Sequence, residues 1–356
     1  MLNMKRLLKP ANALWLLVLV IGIIAVRILP WSEIIQALKA LTFAELGILL
    51  IINGVIVLLF CARWWIILHA FGYTLPYFKL SGYRIAGYAI SYFTPGTQFG
   101  GEPLQVYLVQ SRHAVPTGIS LAAVTLDKLF ELLANFSFLA LGILLITSLE
   151  LIPGLANPNL AAWIGGLMVF PVAYFFVLAS GRFPLSAIFQ WLSERFWIHP
   201  RLKKLPPLVT ATERQMSTLF RRHPWLVLGA LLLSVLVWVM MVFEYWLMST
   251  FLGAHLSPLQ AVAGYTAMRA AFLSPLPGGV GLLEASQVLT MQAFGYSSAL
   301  GISLSLLIRA RDLVVGIFGL WVGGVIGARQ APAMEKIATL APAIKLNEVE
   351  VVQPVD

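Results

Sequence analysis

The stretch SYFTPGTQFGGE, residues 91–102, returns in altered form as FLSPLPGGVGLLE, residues 272–284. Each sets a hydroxyl–proline pair, then glycines, then a single glutamate, inside sequence otherwise apolar enough for lipid. Proline removes a backbone donor and glycine frees φ, so both stretches interrupt helix. At membrane depth, irregular backbone is tolerated only where it is buried in protein or lines a cavity. A break at corresponding places in two halves of a chain points to a binding site at their interface. The tips of two re-entrant hairpins are therefore assigned to Pro95, Gly96, Gly100 and Gly101, and to Pro275, Pro277, Gly278, Gly279 and Gly281.

The surroundings of these stretches support a membrane setting. Of 356 residues, 60% are hydrophobic and 11% charged, with mean hydropathy +0.87. Soluble domains carry roughly 25% charge. The formal net charge of +9 sits in loops and tails beside apolar runs. It reads as an orientation signal and a contact for anionic headgroups rather than a nucleic-acid footprint. One cysteine, Cys61, excludes an internal disulfide and reads as packing. The N-terminus has the basic start and apolar run of a signal peptide. It continues into Arg27, Pro30 and Trp31 without a small-residue cleavage site, and is read as a retained span.

Spans of about 20 apolar residues fit residues 13–29, 45–67, 117–149, 160–179, 225–252 and 298–327. The fold expected is an all-α polytopic membrane protein with about six full transmembrane helices and two re-entrant helical hairpins in an inverted-topology repeat. Residues 1–180 form the first membrane half, with a hairpin over 77–112. Residues 181–224 form a cytoplasmic connector, 225–328 the second half with a hairpin over 257–294, and 329–356 a cytoplasmic tail. The connector carries apolar residues at helical spacing, including Leu205, Leu208, Val209, Met216 and Leu219. Two amphipathic helices on the inner leaflet are expected there, and its arginines and lysines are solvated or face anionic headgroups. Arg63, Trp64 and Trp65 close the second span at the interface. The positive-inside bias puts both termini in the cytoplasm of a multi-pass protein of the cell membrane.

Two charged patches lie where charge is costly. Asp127, Lys128 and Glu131 begin about ten residues into one span, and Arg309, Arg311 and Asp312 equally far into another. At 1.5 Å per residue that is about 15 Å of depth, near the centre of a hydrocarbon core. Such residues face a partner or a water-filled cavity. Asp127 lies 25 residues after Glu102, and Arg309 the same 25 after Glu284. Asp127 and Glu131 share a helical face, and Arg309 and Asp312 stand at a spacing that allows pairing within one helix. The plain alternative is that these charges neutralise one another and tie down carbonyls freed at Pro95 and Pro275. The functional one is a polar cavity for a headgroup, with arginines as phosphate forks.

Glu102 and Glu284 also fit ordinary first-turn partners of a helix dipole. At membrane depth at least one is expected to titrate and couple movement to protons. Glu244, toward the outer end of its span, is a weaker candidate, while Arg84 and Arg269 sit on the hairpin arms as guards of the two mouths. Counted as Lys128, Arg269, Arg309 and Arg311 against Glu102, Asp127, Glu131, Glu244, Glu284 and Asp312, the polar set favours neither sign. The five histidines show no metal-ligand spacing. No nucleophile elbow, Walker loop or dinucleotide fingerprint occurs. No metal, cofactor or catalytic residue is therefore expected.

At these motifs the sequence resembles the lysylphosphatidylglycerol synthase transmembrane-region family. The residues that carry it are Pro95-Gly96-Thr97-Gln98-Phe99-Gly100-Gly101-Glu102-Pro103 followed by Asp127-Lys128. The second set is Pro277-Gly278-Gly279-Val280-Gly281-Leu282-Leu283-Glu284 followed by Arg309. The resemblance covers about residues 10–328. Thr97-Gln98 departs from a glycine-rich pair, and Lys128 stands where the family commonly has arginine. The family includes the flippase half of bacterial multiple peptide resistance factor, so the resemblance implies a lipid flippase without a soluble synthase domain. Membrane lipids are the implied partners. A polyprenyl-phosphate-dependent glycosyltransferase and a non-transporting accessory subunit are the alternatives.

Overall fold

A computed structural model describes residues 41–93, 100–148, 172–195, 205–273 and 279–328, with Lys39, Gly166 and Val169 as isolated helical positions. The span expected at 13–29, the tips Pro95, Gly96, Pro275, Pro277 and Gly278, and the tail beyond Ala328 lie outside the described residues. Among the described residues the protein is entirely helical.

The first long helix, α1 (Phe43–Ala70), opens on a capping box. The Thr42 hydroxyl accepts the Glu45 N–H at 3.3 Å, and the Glu45 carboxylate accepts the Thr42 N–H at 2.7 Å. Two orphan donors of the first turn are thereby satisfied. Then come α2 (Tyr77–Phe93), α3 (Glu102–His113) and a second long helix, α4 (Thr117–Ser148). After it follow α5 (Val172–Ala179), α6 (Pro184–Arg195) and α7 (Leu205–Arg222), with a bend of 100° between α5 and α6. The remainder repeats the order long, short, short, long: α8 (Pro224–Phe251), α9 (Pro258–Ala271), α10 (Leu282–Ala293) and α11 (Ser298–Ala328).

Lengths and anchors recur with the order. Helices α1 and α8 each have 28 residues, α3 and α10 each 12, and α4 and α11 have 32 and 31. Trp65 donates its indole N–H to Leu75 O at 2.9 Å where α1 hands over to α2, and Trp246 donates to Leu256 O at 2.8 Å where α8 hands over to α9. Packing is reciprocal as well: α1 lies against α8, α4 against α9, and α11 against α2.

Helices α1, α4 and α8 are long and apolar enough to cross a membrane. Helix α11 is as long, but Arg309, Arg311 and Asp312 interrupt its apolar run. Both short pairs fold back on themselves. The Tyr83 hydroxyl meets the His113 ring at 3.1 Å, which brings the early part of α2 to the end of α3. In the second pair, Ala263 of α9 packs beside Ala293 and Phe294 at the end of α10. Gly101 permits the first fold: a Cβ there would land on the Gly87 carbonyl.

The connector differs from expectation. Helix α7 presents Met216, Leu219 and Phe220 to a core shared with Phe130, Tyr174 and Leu178, and packs on α4 and α6. Its apolar stripe is covered by protein, because α4, α5 and α6 together supply enough apolar surface to receive it. Glu213, within this charged connector, is 1% exposed. It accepts from the Tyr174 hydroxyl at 3.1 Å and from Leu185 N–H and Ser186 N–H at 3.0 and 2.9 Å, so it caps α6 from a distance. Arg214, Arg221 and Arg222 face outward on the other side.

Candidate functional site

The charges of the first half form one network across four helices. Arg63, in α1, is 1% exposed. Its Nε donates to Asp127 Oδ1 at 2.7 Å, its Nη1 to Ser234 Oγ at 3.1 Å, and its Nη2 lies 3.8 Å from Glu131. Arg84, in α2, also pairs with Asp127 and lies 3.4 Å from Glu131. Lys128 Nζ bridges Glu131 at 2.9 Å and Glu102 at 3.3 Å. The i,i+4 spacing of Asp127 and Glu131 thus presents two carboxylates to two guanidiniums. Phe60 supports both of these, its ring centroid 5.4 Å from Arg63 and 5.3 Å from Arg84.

The second half divides its charges into three groups. Arg311 bonds Glu244 at 2.6 Å and Asp312 at 2.7 Å, so one guanidinium serves two carboxylates. Asn53, in α1, donates to the other Glu244 oxygen at 3.2 Å. Arg309 forms a two-point fork on Glu284, 2.5 and 3.1 Å. Arg269 donates twice to the amide oxygen of Asn135, at 3.3 and 2.9 Å, and lies over the Trp238 ring at 5.1 Å.

Glu102 and Glu284 do the work of first-turn carboxylates and something further. Glu102 accepts the N–H of Gly100, and Glu284 that of Gly281, each at 2.8 Å. A loop amide is satisfied in each case. The remaining reach of each carboxylate goes to a cation on the following long helix, Lys128 or Arg309. The 25-residue spacing is a contact only in the second half, where Arg309 bonds Glu284. Asp127, equally far from Glu102, goes to Arg63 and Arg84, and the cation that meets Glu102 is Lys128, one residue further on.

Three readings of the sequence need correction. Arg309 and Asp312 do not pair within α11. Helix α10 packs against α11 and offers Arg309 the Glu284 carboxylate, which leaves Asp312 to Arg311. Glu244 is more than a weak candidate: it is 1% exposed and bridges α8 to α1 and α11. Arg63 is not an interfacial end residue but the centre of the first network. The earlier count also omitted Arg63 and Arg84. With them the set holds six cations and six carboxylates, and five of the cations, all but Arg269, have a carboxylate within salt-bridge distance among the described residues.

Between the halves lies a cavity of about 230 Å³. Its wall includes Arg84, Glu102, Asp127, Lys128 and Glu131 from the first network and Glu244, Arg269, Arg311 and Asp312 from the second half. Tyr88, Tyr92 and Tyr265 fill the wall between them. Glu284 and Arg309 are not among the residues that line it. Gly100, Gly101, Gly279 and Gly281 flank the hairpin breaks, Gly279 and Gly281 at φ of +60° and +84°. Arg63, Asn53, Asn135 and Ser234 are the contributors that sequence reasoning missed. Their signal was a polar side chain inside an apolar run, such as the single asparagine in LLIINGVIVLLF. Among the described residues no group of metal-binding side chains is assembled.

Long apolar helices, folded-back short pairs and a charged cavity between them define an integral membrane protein of the polytopic α-helical class. The chain belongs to the lysylphosphatidylglycerol synthase TM region family, whose sequence profile matches residues 9–319. It is similar to a UPF0104 membrane protein of Methanothermobacter thermautotrophicus, 24% identical over 89% of this chain and 94% of the relative. A UPF0104 membrane protein of Pyrococcus horikoshii is 21% identical over 87% and 94%. One of Methanocaldococcus jannaschii is 20% identical over 70% and 74%. No solved structure gives a significant match.

Proposed function

We propose that the protein is a lipid flippase of the cell membrane, passing the headgroup of a phospholipid or polyprenyl-phosphate-linked lipid through the polar cavity while the hydrocarbon chains stay in the bilayer. The observation that carries this reading is the cavity lined by both charge networks at once. An arrangement that only neutralised buried charge would need no space between the pairs, since unfilled volume forfeits packing contacts. About 230 Å³ is below the roughly 300–1,000 Å³ of pockets that enclose a whole small ligand. The space suits a headgroup whose chains remain outside.

In this reading six spans and two re-entrant hairpins form an inverted repeat, both termini are cytoplasmic, and the cavity lies near the bilayer midplane. The recurring helix lengths and the reciprocal packing of α4 on α9 and of α11 on α2 support it. Every cation of the cavity wall except Arg269 already holds a carboxylate. Passage of a headgroup therefore exchanges one charged partner for another, which avoids the several kcal/mol that an unpaired buried charge costs. Protons couple to that exchange at the carboxylates released. No catalysis is assigned to the chain.

The test is lipid movement in proteoliposomes containing the purified protein, with phospholipid and polyprenyl-phosphate analogues, with and without a pH gradient. Asp127→Asn and Arg311→Gln are compared with the wild type. Movement that these variants lose is the expected result. Folded protein that moves none of these lipids would overturn the reading.

A further inference from the structure

Arg269 stands apart among the cations of the cavity. Arg84, Lys128 and Arg311 each have a carboxylate within 3.4 Å. Arg269 has none within salt-bridge distance among the described residues, and its fork rests on a neutral amide. An arginine has donors only, so it fixes the Asn135 amide with its oxygen toward the guanidinium and its nitrogen away. That nitrogen, Asn135 Nδ2, is buried and without a hydrogen-bond partner, in a residue 2% exposed. A buried donor left unmade costs about 1–3 kcal/mol. A guanidinium on a cavity wall with no carboxylate is a site short of an anion.

The position of this guanidinium identifies the anion. Trp238, beneath the Arg269 guanidinium, stacks on Phe138 with ring centroids 4.6 Å apart. Trp238 lines the polar cavity, and both rings line a second, apolar space of about 670 Å³ between α4, α5 and α8. Leu141, Phe176, Val235 and Val239 on that groove are more than half exposed, so it opens sideways from the helix bundle. One aromatic pair thus separates an apolar groove from a charged cavity, with the anion site above it.

We propose that Arg269, oriented by the Asn135 amide oxygen, binds the phosphate of a membrane lipid whose hydrocarbon chain lies in the α4–α8 groove, and that the Trp238–Phe138 pair is the lateral entrance to the cavity. The proposal rests on the flippase reading and adds to it the residue that holds the lipid phosphate and the side from which the lipid enters. Charge-assisted bonds from a guanidinium to phosphate are among the stronger hydrogen bonds, and an aromatic pair can part by side-chain rotation alone.

Binding is measured by native mass spectrometry on the full chain in detergent. The probes are phosphatidylglycerol, a glucosyl diacylglycerol with the same chains but no phosphate, and inorganic phosphate as competitor. Arg269→Gln is expected to weaken phosphatidylglycerol binding about tenfold and to leave the glycolipid unchanged, with Arg269→Lys in between. Val235→Trp, which fills the exposed groove, is expected to weaken both lipids, and millimolar inorganic phosphate to displace neither. Equal phosphatidylglycerol binding by wild type and Arg269→Gln would overturn the anchor. Unchanged lipid binding by Val235→Trp would overturn the groove, and displacement by inorganic phosphate would mean a site for the free ion. The flippase reading fails separately: lipid then binds as described but does not move in proteoliposomes.

Discussion

Arg63 and Glu244 occupy corresponding places in α1 and α8, each twenty positions beyond the helix start, Phe43 or Pro224. Each is tied to the other helix at corresponding places too. Arg63 donates to Ser234 at 3.1 Å, and Glu244 accepts from Asn53 at 3.2 Å. Ser234 and Asn53 are in turn the eleventh residues of their helices. The polar contact between α1 and α8 is therefore one hydrogen bond written twice with opposite charge. Arg63 leads into the Asp127 and Glu131 network, and Glu244 into Arg311 and Asp312, so this seam joins both networks.

Removing one side of the seam is expected to be costly. Arg63→Met leaves Asp127 and Glu131 with less compensation in a buried place, and breaking such a pair costs about 3–5 kcal/mol. A large fall in melting temperature of the detergent-solubilised protein is the expected outcome. Arg63→Met combined with Asp127→Leu should regain much of the loss, because no uncompensated charge remains. Additive losses would indicate that the two side chains act independently.

The first hairpin should be sensitive to one methyl group at one glycine and not at its neighbour. A Cβ at Gly101 would strike the Gly87 carbonyl, which is fixed backbone, whereas a Cβ at Gly87 would meet the flexible Gln105 side chain. Gly101→Ala is expected to lower both thermal stability and transport, and Gly87→Ala to do so much less. Equal effects would mean that α2 and α3 do not cross as described.

Glu284 and Arg309 do not line the cavity and form a two-point fork between α10 and α11, so they are expected to hold α10 on α11. Arg309→Gln is expected to reduce stability by about 1.5–3 kcal/mol, the worth of hydrogen bonds to charged groups, and to leave lipid preference as in the wild type. A change in which lipid is moved, measured at equal amounts of folded protein, would place the pair in the transport path instead.

His113 ends α3 outside the spans and bonds the Tyr83 hydroxyl. Burial first, then Lys79 and Arg112, lower its pKa below the ordinary 6.5. The unfolded chain therefore takes up this proton more readily than the folded one. The contribution of His113 to stability is complete above about pH 6.5 and is lost as pH falls toward the folded value. His113→Gln should flatten the acid side of the melting-temperature profile by a small amount, since the ring is only partly buried.

Much of the fold was legible in the composition and in two broken motifs. Apolar runs long enough for lipid announce α1, α4 and α8 by length alone. Pro95 with Gly101 and Pro275 with Gly281 bound the breaks, and Glu102 and Glu284 mark the helices that follow. The patches in α4 and α11 were legible as charge that must find partners. Which partners was not. Arg309 and Asp312 have the right spacing for one another, yet α10 brings Glu284 closer, and helical periodicity carries no information about a neighbouring helix. Arg63 looked like the end of a span because tryptophans follow it.

The sequence by itself determined that this chain is helical, lives in a membrane and carries polar breaks at two related places, since these follow from hydropathy, backbone chemistry and spacing along one strand of sequence. Only the tertiary structure decided that Arg63 and Glu244 lie at the seam, that α7 buries its stripe in protein, and that Arg269 is left with a neutral partner. Those outcomes depend on which side chains distant in sequence come within hydrogen-bond reach. Burial fixes that choice, because in a low-dielectric interior each charge settles on the nearest satisfying group.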